Sequence, residues 1–143
     1  MTATAGRPTI VLVEDDPRQT RGLATSLERA GFRTCIFRAA AGLEVWLADH
    51  VADLLLLDAE LPGESGPAAH VRLRAEGLLD EATPVLIVSG YMETPDVVAA
   101  YDAGVWDVIV KPIDPRILVA KCRAILVRTG RLPPASPAAH HQE

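Results

Sequence analysis

Five short apolar runs recur along the chain, and each is followed by a stretch with helical periodicity. Most of these runs are continuously apolar rather than alternating, which is typical of strands covered on both faces. The pattern predicts five strands, at residues 9–13, 34–37, 52–57, 85–89 and 105–110. Strands of this kind occur in a parallel sheet with helices on both sides.

The stretches between the runs are predicted helices. Apolar side chains recur at helical spacing in five segments, 17–30, 40–50, 66–76, 94–103 and 114–128. Gly31 and Gly104 follow the first and fourth segments, and glycine favours a helix C-terminus. Thr94 and Asp114 each precede a proline and are predicted N-caps. The expected fold is therefore α/β, a doubly wound (βα)5 arrangement around a five-stranded parallel sheet.

Length and composition are those of one folded domain. The 143 residues are 49% hydrophobic but only 4% aromatic, so the core is expected to consist of Val, Leu, Ile and Ala. The helical pattern ends near residue 128, and a Pro- and Ala-rich stretch without hydrophobic period follows. We predict a flexible N-terminus at residues 1–8, a domain at 9–129 and a tail or linker at 130–143.

Charge and cysteine content argue against several function classes. The net charge of −5, without a long basic stretch, argues against direct binding of nucleic acid. No signal peptide precedes the first apolar run, which is too short to span a bilayer, so we expect a cytoplasmic protein without membrane attachment. Cys35 and Cys122 lie in apolar segments and are expected to be buried free thiols.

Polar groups stand at the carboxyl ends of four predicted strands. These ends meet at one edge of the sheet, where ligands bind in such folds. The residues are Glu14, Asp15, Asp16, Asp58, Ser89 and Lys111. Clustered carboxylates repel one another unless a cation lies between them, and hard oxygen ligands suit Mg²⁺. A carboxylate there can attack a phosphorus atom whose oxygens are neutralised by the metal, the hydroxyl and the ammonium group.

These residues and their surroundings resemble the receiver domains of two-component response regulators. The resemblance extends from about residue 9 to about residue 128. It rests on residues 10–16, residues 57–58 with Leu61-Pro62-Gly63, residues 86–90 and residues 110–112, in that order. It implies a flavodoxin-like receiver fold and a signalling switch. Such a switch is not an ordinary enzyme, but it catalyses its own phosphoryl transfer and dephosphorylation.

The resemblance also implies how the phosphoryl group is handled. Asp58 would be the phosphoacceptor, Ser89 would donate its hydroxyl, and Lys111 would pair with the phosphoryl group. A histidine kinase or a phosphotransfer protein would be the donor. The peptide bond between Lys111 and Pro112 is expected to be cis.

The same resemblance implies a Mg²⁺ site. Glu14 and Asp15 would form the acidic pocket, with Asp15 as the direct ligand and Glu14 acting through water. Asp58 and the backbone carbonyl of Glu60 would supply further ligands. Asp16 falls outside this pair and is interpreted as a loop residue.

One position departs from the family pattern. Receiver domains usually carry Tyr or Phe three residues before the lysine, and this aromatic side chain follows the hydroxyl when it turns to the phosphoryl group. Here that position is Val108, and valine is stiff at χ1. Trp106, on the same strand face, and Tyr91, at the mouth of the site, are candidate substitutes. Trp106 can equally be a core or surface filler.

The last predicted helix carries more apolar residues than one buried face needs. Its expected core stripe comprises Leu118, Val119, Cys122, Ile125 and Leu126. Ile117, Ala120, Ala124 and Val127 fall outside that stripe. Excess apolar surface often marks a partner surface. This pattern suggests a homodimer or effector contact through the fourth and fifth helices and the strand between them.

Other functions fit less well. Phosphatases of the haloacid-dehalogenase kind carry Asp-x-Asp-x-Thr after the first strand, whereas residues 14–18 here read Glu-Asp-Asp-Pro-Arg. A nucleotide binder of this fold class would need a glycine-rich phosphate loop, and the first loop here is acidic. A phosphorylation-independent docking scaffold, a degenerate receiver, remains the alternative because of Val108.

Overall fold

Strand and helix alternate along residues 6–134, the part of the chain that this computed structural model describes. The strands are β1 (Thr9–Val13), β2 (Arg33–Phe37), β3 (Leu54–Asp58), β4 (Glu60–Leu61), β5 (Glu64–Ser65), β6 (Val85–Ser89) and β7 (Asp107–Val110). The helices are α1 (Pro17–Arg29), α2 (Ala40–Leu47), α3 (Gly66–Ala75), α4 (Thr94–Asp102) and α5 (Pro115–Arg128).

Five of the strands form one parallel sheet in the order β2-β1-β3-β6-β7, which confirms the predicted α/β fold. β4 and β5 form a short antiparallel hairpin directly after β3. Neighbouring residues of a strand point to opposite faces of the sheet, and helices pack on both faces. Val11 packs in the layer that holds Leu43 and Leu73 of α2 and α3, while Ile10 packs with Leu118 of α5.

The three central strands and the two edge strands differ in burial. All residues of β3 and β6 are buried, as are all but the first of β1. β2 and β7 lie at the edges and are only partly covered. The continuous apolar pattern therefore overstates the burial of these edge strands. The expectation of two buried thiols is wrong for the same reason, since Cys122 is buried but Cys35, on β2, is half-buried.

The helix starts confirm one predicted cap, correct another and show a third. The side chain of Asp114 accepts a hydrogen bond from the backbone N–H of Arg116 at 2.9 Å, so it caps α5 as predicted. Asp16 lies in the loop before α1, as interpreted, and its carboxylate also caps α1 in the same way. Thr94 is not the cap of α4. Glu93 holds the extended cap conformation (φ −74°, ψ 153°), and Thr94 is already helical.

The predicted terminal segments lie partly outside the described residues, which exclude 1–5 and 135–143. Beyond α5, Leu132 still packs against the layer formed by α1 and α5. Within residues 6–134, no helix has the length and apolar character needed to cross a membrane.

Candidate functional site

An acidic cluster lies at the carboxyl edge of the sheet. β1 and β3 are neighbours with Val13 opposite Leu57, and this register places the next residues, Glu14 and Asp58, side by side. Oxygen atoms of Glu14, Asp15 and Asp58 all lie within 4.8 Å of one another. Glu14 and Asp58 are buried, and Asp15 is exposed. An all-oxygen set of carboxylates with one open side fits a small hard cation such as Mg²⁺.

Lys111 joins the two buried carboxylates. Its Nζ donates to Asp58 Oδ2 at 2.9 Å and to Glu14 Oε1 at 3.0 Å. Its backbone N–H donates to the carbonyl of Ser89 at 2.8 Å, so the end of β6 helps to place it. The following peptide bond to Pro112 is cis, as predicted. Burial lowers the pKa of Lys111, but hydrogen bonds to the two carboxylates outweigh this and raise it.

Asp58 is held as an anion. Its Oδ1 accepts a hydrogen bond from the backbone N–H of Glu60 at 2.9 Å, while Oδ2 faces Lys111. Burial raises the pKa of Asp58, but hydrogen bonds from Glu14, Glu60 and Lys111, with the charge of Lys111, lower it overall. The carboxylate is therefore ionised at neutral pH, which is the protonation state that a nucleophile requires.

Glu14 takes the proton of the pair. Burial and the adjacent Asp58 raise the pKa of Glu14 to about 7, against the opposing hydrogen bonds from Lys111 and from the backbone of Asp16. Two carboxylates beside a single ammonium group cannot both ionise freely. The single positive charge of Lys111 does not balance all the carboxylates of the cluster, and a divalent cation would supply the missing charge.

Replacing Glu14 with glutamine is expected to flatten the pH dependence of stability in metal-free protein. Because the pKa of Glu14 is about 7 in the folded state and its ordinary value is 4.5, the folded state binds more protons between these values. The free energy of unfolding should therefore fall as the pH rises from 4.5 through 7, and Glu14→Gln should remove this fall. Urea unfolding at several pH values with a chelator present measures the slope. An unchanged slope would contradict the assignment of the proton to Glu14.

Ser89 lies at the end of β6, one residue past the position that pairs with Asp58. It is almost fully buried, and its hydroxyl donates to the backbone carbonyl of Tyr91 at 2.8 Å while accepting from the N–H of Tyr91 at 3.1 Å. The side chain of Tyr91 itself is 72% exposed. To donate elsewhere, the Ser89 hydroxyl must release the carbonyl of Tyr91, and this ties the hydroxyl to the loop that leads into α4.

A tyrosine that sequence reasoning missed contacts the position of the absent aromatic residue. The hydroxyl of Tyr101, on α4, accepts from the backbone N–H of Val108 at 3.2 Å and donates to Asp107 Oδ1 at 2.9 Å. Lys121 of α5 donates to Asp107 Oδ2 at 2.7 Å. Periodicity assigns Tyr101 to a helix but carries no signal for this contact with β7. The switch roles suggested for Val108, Trp106 and Tyr91 stay predictions.

Gly66, the first residue of α3, was also missed. A Cβ atom there would collide with the carbonyl oxygen of Asp58 and lie 2.9 Å from its carbonyl carbon and 3.1 Å from the Cα of Ala59. The N–H of Gly66 donates to the carbonyl of Ala59 at 2.9 Å. The start of α3 thus packs directly on the backbone that carries the central carboxylate.

Comparisons with known proteins show what this chain is similar to. The family model for the response regulator receiver domain matches residues 10–123. The transcriptional regulatory protein CseB of Streptomyces coelicolor is 39% identical over 123 residues, which are 85% of this chain and 50% of that protein. The phosphate regulon transcriptional regulatory protein PhoB of Pseudomonas aeruginosa is 33% identical over 85% of this chain and 53% of its own length. The chain thus spans about half the length of these curated relatives.

Solved structures show the same fold. A CheY-like receiver domain protein from Methanospirillum hungatei superposes with a TM-score of 0.80 at 23% identity, covering 88% of this chain and 98% of that chain. The receiver domain of a signal transduction histidine kinase from Syntrophus aciditrophicus superposes with a TM-score of 0.76 at 27% identity, covering 92% of this chain and 98% of that chain.

Proposed function

The chain belongs to the response regulator receiver domain family of two-component systems, and from this premise we propose that it is a phosphorylation-dependent switch in which Asp58 accepts the phosphoryl group. The observation that carries this proposal is the state of Asp58. It is buried at the centre of an oxygen cluster, it is ionised, and Lys111 lies 2.9 Å away.

The donor set of the cluster supports Mg²⁺ as the cation. Asp15, Asp58 and the carbonyl of Glu60 would hold it, with Glu14 acting through water. When bound, Mg²⁺ supplies positive charge beside the phosphoryl oxygens. A cation there would also favour the ionised form of Glu14, whose pKa is raised to about 7 by burial and by the neighbouring Asp58.

The protein's own groups carry out the transfer. A carboxylate oxygen of Asp58 attacks the phosphorus of a phosphohistidine on a histidine kinase or phosphotransfer protein, the P–N bond breaks, and the imidazole leaves. Lys111 Nζ and the hydroxyl of Ser89 then face the new phosphoryl oxygens, which requires Ser89 to release Tyr91. We propose that the domain also catalyses its own dephosphorylation, in which water attacks the phosphorus, the bond to the Asp58 oxygen breaks, and Asp58 and inorganic phosphate are released.

Acetyl phosphate tests the proposal without a partner kinase. Wild-type protein incubated with acetyl phosphate and Mg²⁺ is expected to gain one phosphoryl mass, and a chelator should prevent the gain. Intact-mass spectrometry reads the outcome. A wild-type protein that gains no mass would fit the phosphorylation-independent docking scaffold instead.

We further propose that the switch acts on a surface formed by α4, β7 and α5. Five large apolar side chains are exposed there, Val98, Tyr101, Trp106, Val110 and Ile117. Such a surface suits a second copy of the domain or an effector. The loop after Ser89 leads directly into α4, which supports a link from the site to this surface.

Substituting Ile117 with glutamate should weaken homodimer formation. Ile117 is 55% exposed on α5, so a charge there costs little in the monomer and opposes an apolar interface. Sedimentation with and without a phosphoryl mimic measures the mass. Val45→Glu on α2, where the valine is 77% exposed, is the matched control and should dimerise like wild type. A monomer mass independent of concentration in both states would contradict the homodimer.

A further inference from the structure

Arg72 on α3 joins carboxylates from three parts of the fold. Its Nε and Nη2 donate to Oε2 and Oε1 of Glu64 at 2.8 and 2.9 Å, which is a bidentate pair. Nη2 also donates to Glu44 of α2 at 2.7 Å, and Nη1 donates to Glu76 at the end of α3 at 3.1 Å. The planar guanidinium therefore fixes the relative positions of its partners, which a lysine could not do in the same way.

Glu64 belongs to the hairpin that follows Asp58. In that hairpin Leu61 pairs with Glu64 and Glu60 pairs with Ser65. Each of its strands has only two residues, so its own hydrogen bonds hold it weakly. Its position therefore also depends on contacts with the rest of the domain. These include the burial of Leu61, the bonds between Glu64 and Arg72, and the hydrogen bond from the N–H of Ala68 to Ser65 Oγ.

The same hairpin begins at the site. The N–H of Glu60 binds Asp58 Oδ1 at 2.9 Å, and the carbonyl of Glu60 is a proposed Mg²⁺ ligand. Mg²⁺ demands near-ideal octahedral geometry and tolerates misplaced ligands poorly. A shift of the hairpin therefore affects metal affinity more than it affects the stability of the domain.

We propose that Arg72 is a positioning residue for the metal and phosphoryl site, acting through Glu64 on the hairpin that carries Glu60. This inference rests on the function proposed above. An isolated exposed ion pair contributes little to stability. A bidentate pair inside a network of three carboxylates, in contrast, holds the guanidinium and its partners in defined positions. The lowered pKa of Glu64, caused by its hydrogen bond from Arg72, agrees with a persistent contact.

The test compares substitutions of three residues that meet at one guanidinium. Glu64→Gln and Arg72→Met should each weaken Mg²⁺ binding about 3- to 10-fold, somewhat less than the loss of a group that bonds a metal ligand directly. Glu76→Gln removes a contact to the same arginine that does not involve the hairpin, and it should leave the Kd for Mg²⁺ within about twofold of wild type. Calorimetric titration with MgCl₂ gives the Kd, and urea unfolding monitors stability.

Kinetics separate positioning from general damage. We expect acetyl phosphate to phosphorylate Glu64→Gln more slowly than wild type at low Mg²⁺ and at the wild-type rate at saturating Mg²⁺. Arg72→Lys keeps the charge without the bidentate geometry and should fall between wild type and Arg72→Met. If both Glu64→Gln and Arg72→Met bind Mg²⁺ with the wild-type Kd, the role of Arg72 is overturned but the proposed function is not. The same follows if Glu76→Gln weakens Mg²⁺ binding as much as they do. A wild-type protein that neither binds Mg²⁺ nor forms an adduct overturns the proposed function first.

Discussion

Asp58→Asn is expected to abolish the phosphoryl adduct while the domain stays folded. The amide of asparagine offers no anionic oxygen to attack phosphorus, and an acyl phosphate cannot form on it. Glu14 is not expected to take over the transfer, because it stays bonded to Lys111 at 3.0 Å. The expected effect is a loss below detection rather than a reduced rate.

The fold should tolerate this change because the local charges remain balanced. Lys111 keeps its bond to Glu14 at 3.0 Å, and the amide oxygen of Asn can still accept from the N–H of Glu60. Burial is the main cause of the raised pKa of Glu14, and removing the adjacent carboxylate relieves the part that Asp58 contributes. We expect the free energy of unfolding to change by no more than about 1 kcal/mol, the scale of one hydrogen bond.

Intact mass after acetyl phosphate and Mg²⁺ treatment measures the adduct, and circular dichroism checks the fold. Asp102→Asn is the matched control, because Asp102 is an exposed aspartate of α4 away from the cluster. It should gain the phosphoryl mass as wild type does. An undiminished adduct in Asp58→Asn would mean that another side chain accepts the group, and the proposed role of Asp58 would be wrong.

The cluster could be predicted because parallel strands bring their carboxyl ends together. Once five strands of one sheet were recognised, the residues that follow them had to lie near one edge. Glu14, Asp58 and Lys111 meet there with contacts of 2.9 and 3.0 Å. Strand order was not needed for that prediction, and this is why it succeeded while the burial of the edge strands was overstated.

Contacts between side chains of different elements could not be predicted in this way. Hydrophobic period assigns Tyr101 and Arg72 to helices and gives their faces, but it does not say which strand or loop each face meets. The pairing of Tyr101 with Asp107 depends on how α4 packs beside β7. The pairing of Arg72 with Glu64 depends on how the hairpin folds back on α3. Both follow from tertiary packing, which a single sequence does not reveal.

Gly66→Ala is expected to destabilise the domain by about 3 kcal/mol, at the upper end of the usual cost of overpacking. The added Cβ meets the carbonyl oxygen of Asp58 and lies 3.1 Å from the Cα of Ala59, and neither is a flexible side-chain end that could move aside. Relief requires α3 or the end of β3 to shift. Alanine gains helix propensity of at most about 1 kcal/mol, so the clash dominates.

A glycine-to-alanine substitution in α1 is expected to change the free energy of unfolding in the opposite direction, and it therefore serves as the control. Gly22 is exposed in the interior of α1, and a Cβ there meets nothing within 4 Å. Gly22→Ala should therefore stabilise by about 0.5–1 kcal/mol. Urea unfolding of both variants gives the two free energies of unfolding. Labelling of folded Gly66→Ala with acetyl phosphate, in the absence of urea, reports on Asp58. Because any shift moves the backbone of Asp58, we expect the rate of labelling to fall together with the free energy of unfolding. Equal stability in the two variants would contradict the close approach of α3 to the acceptor strand.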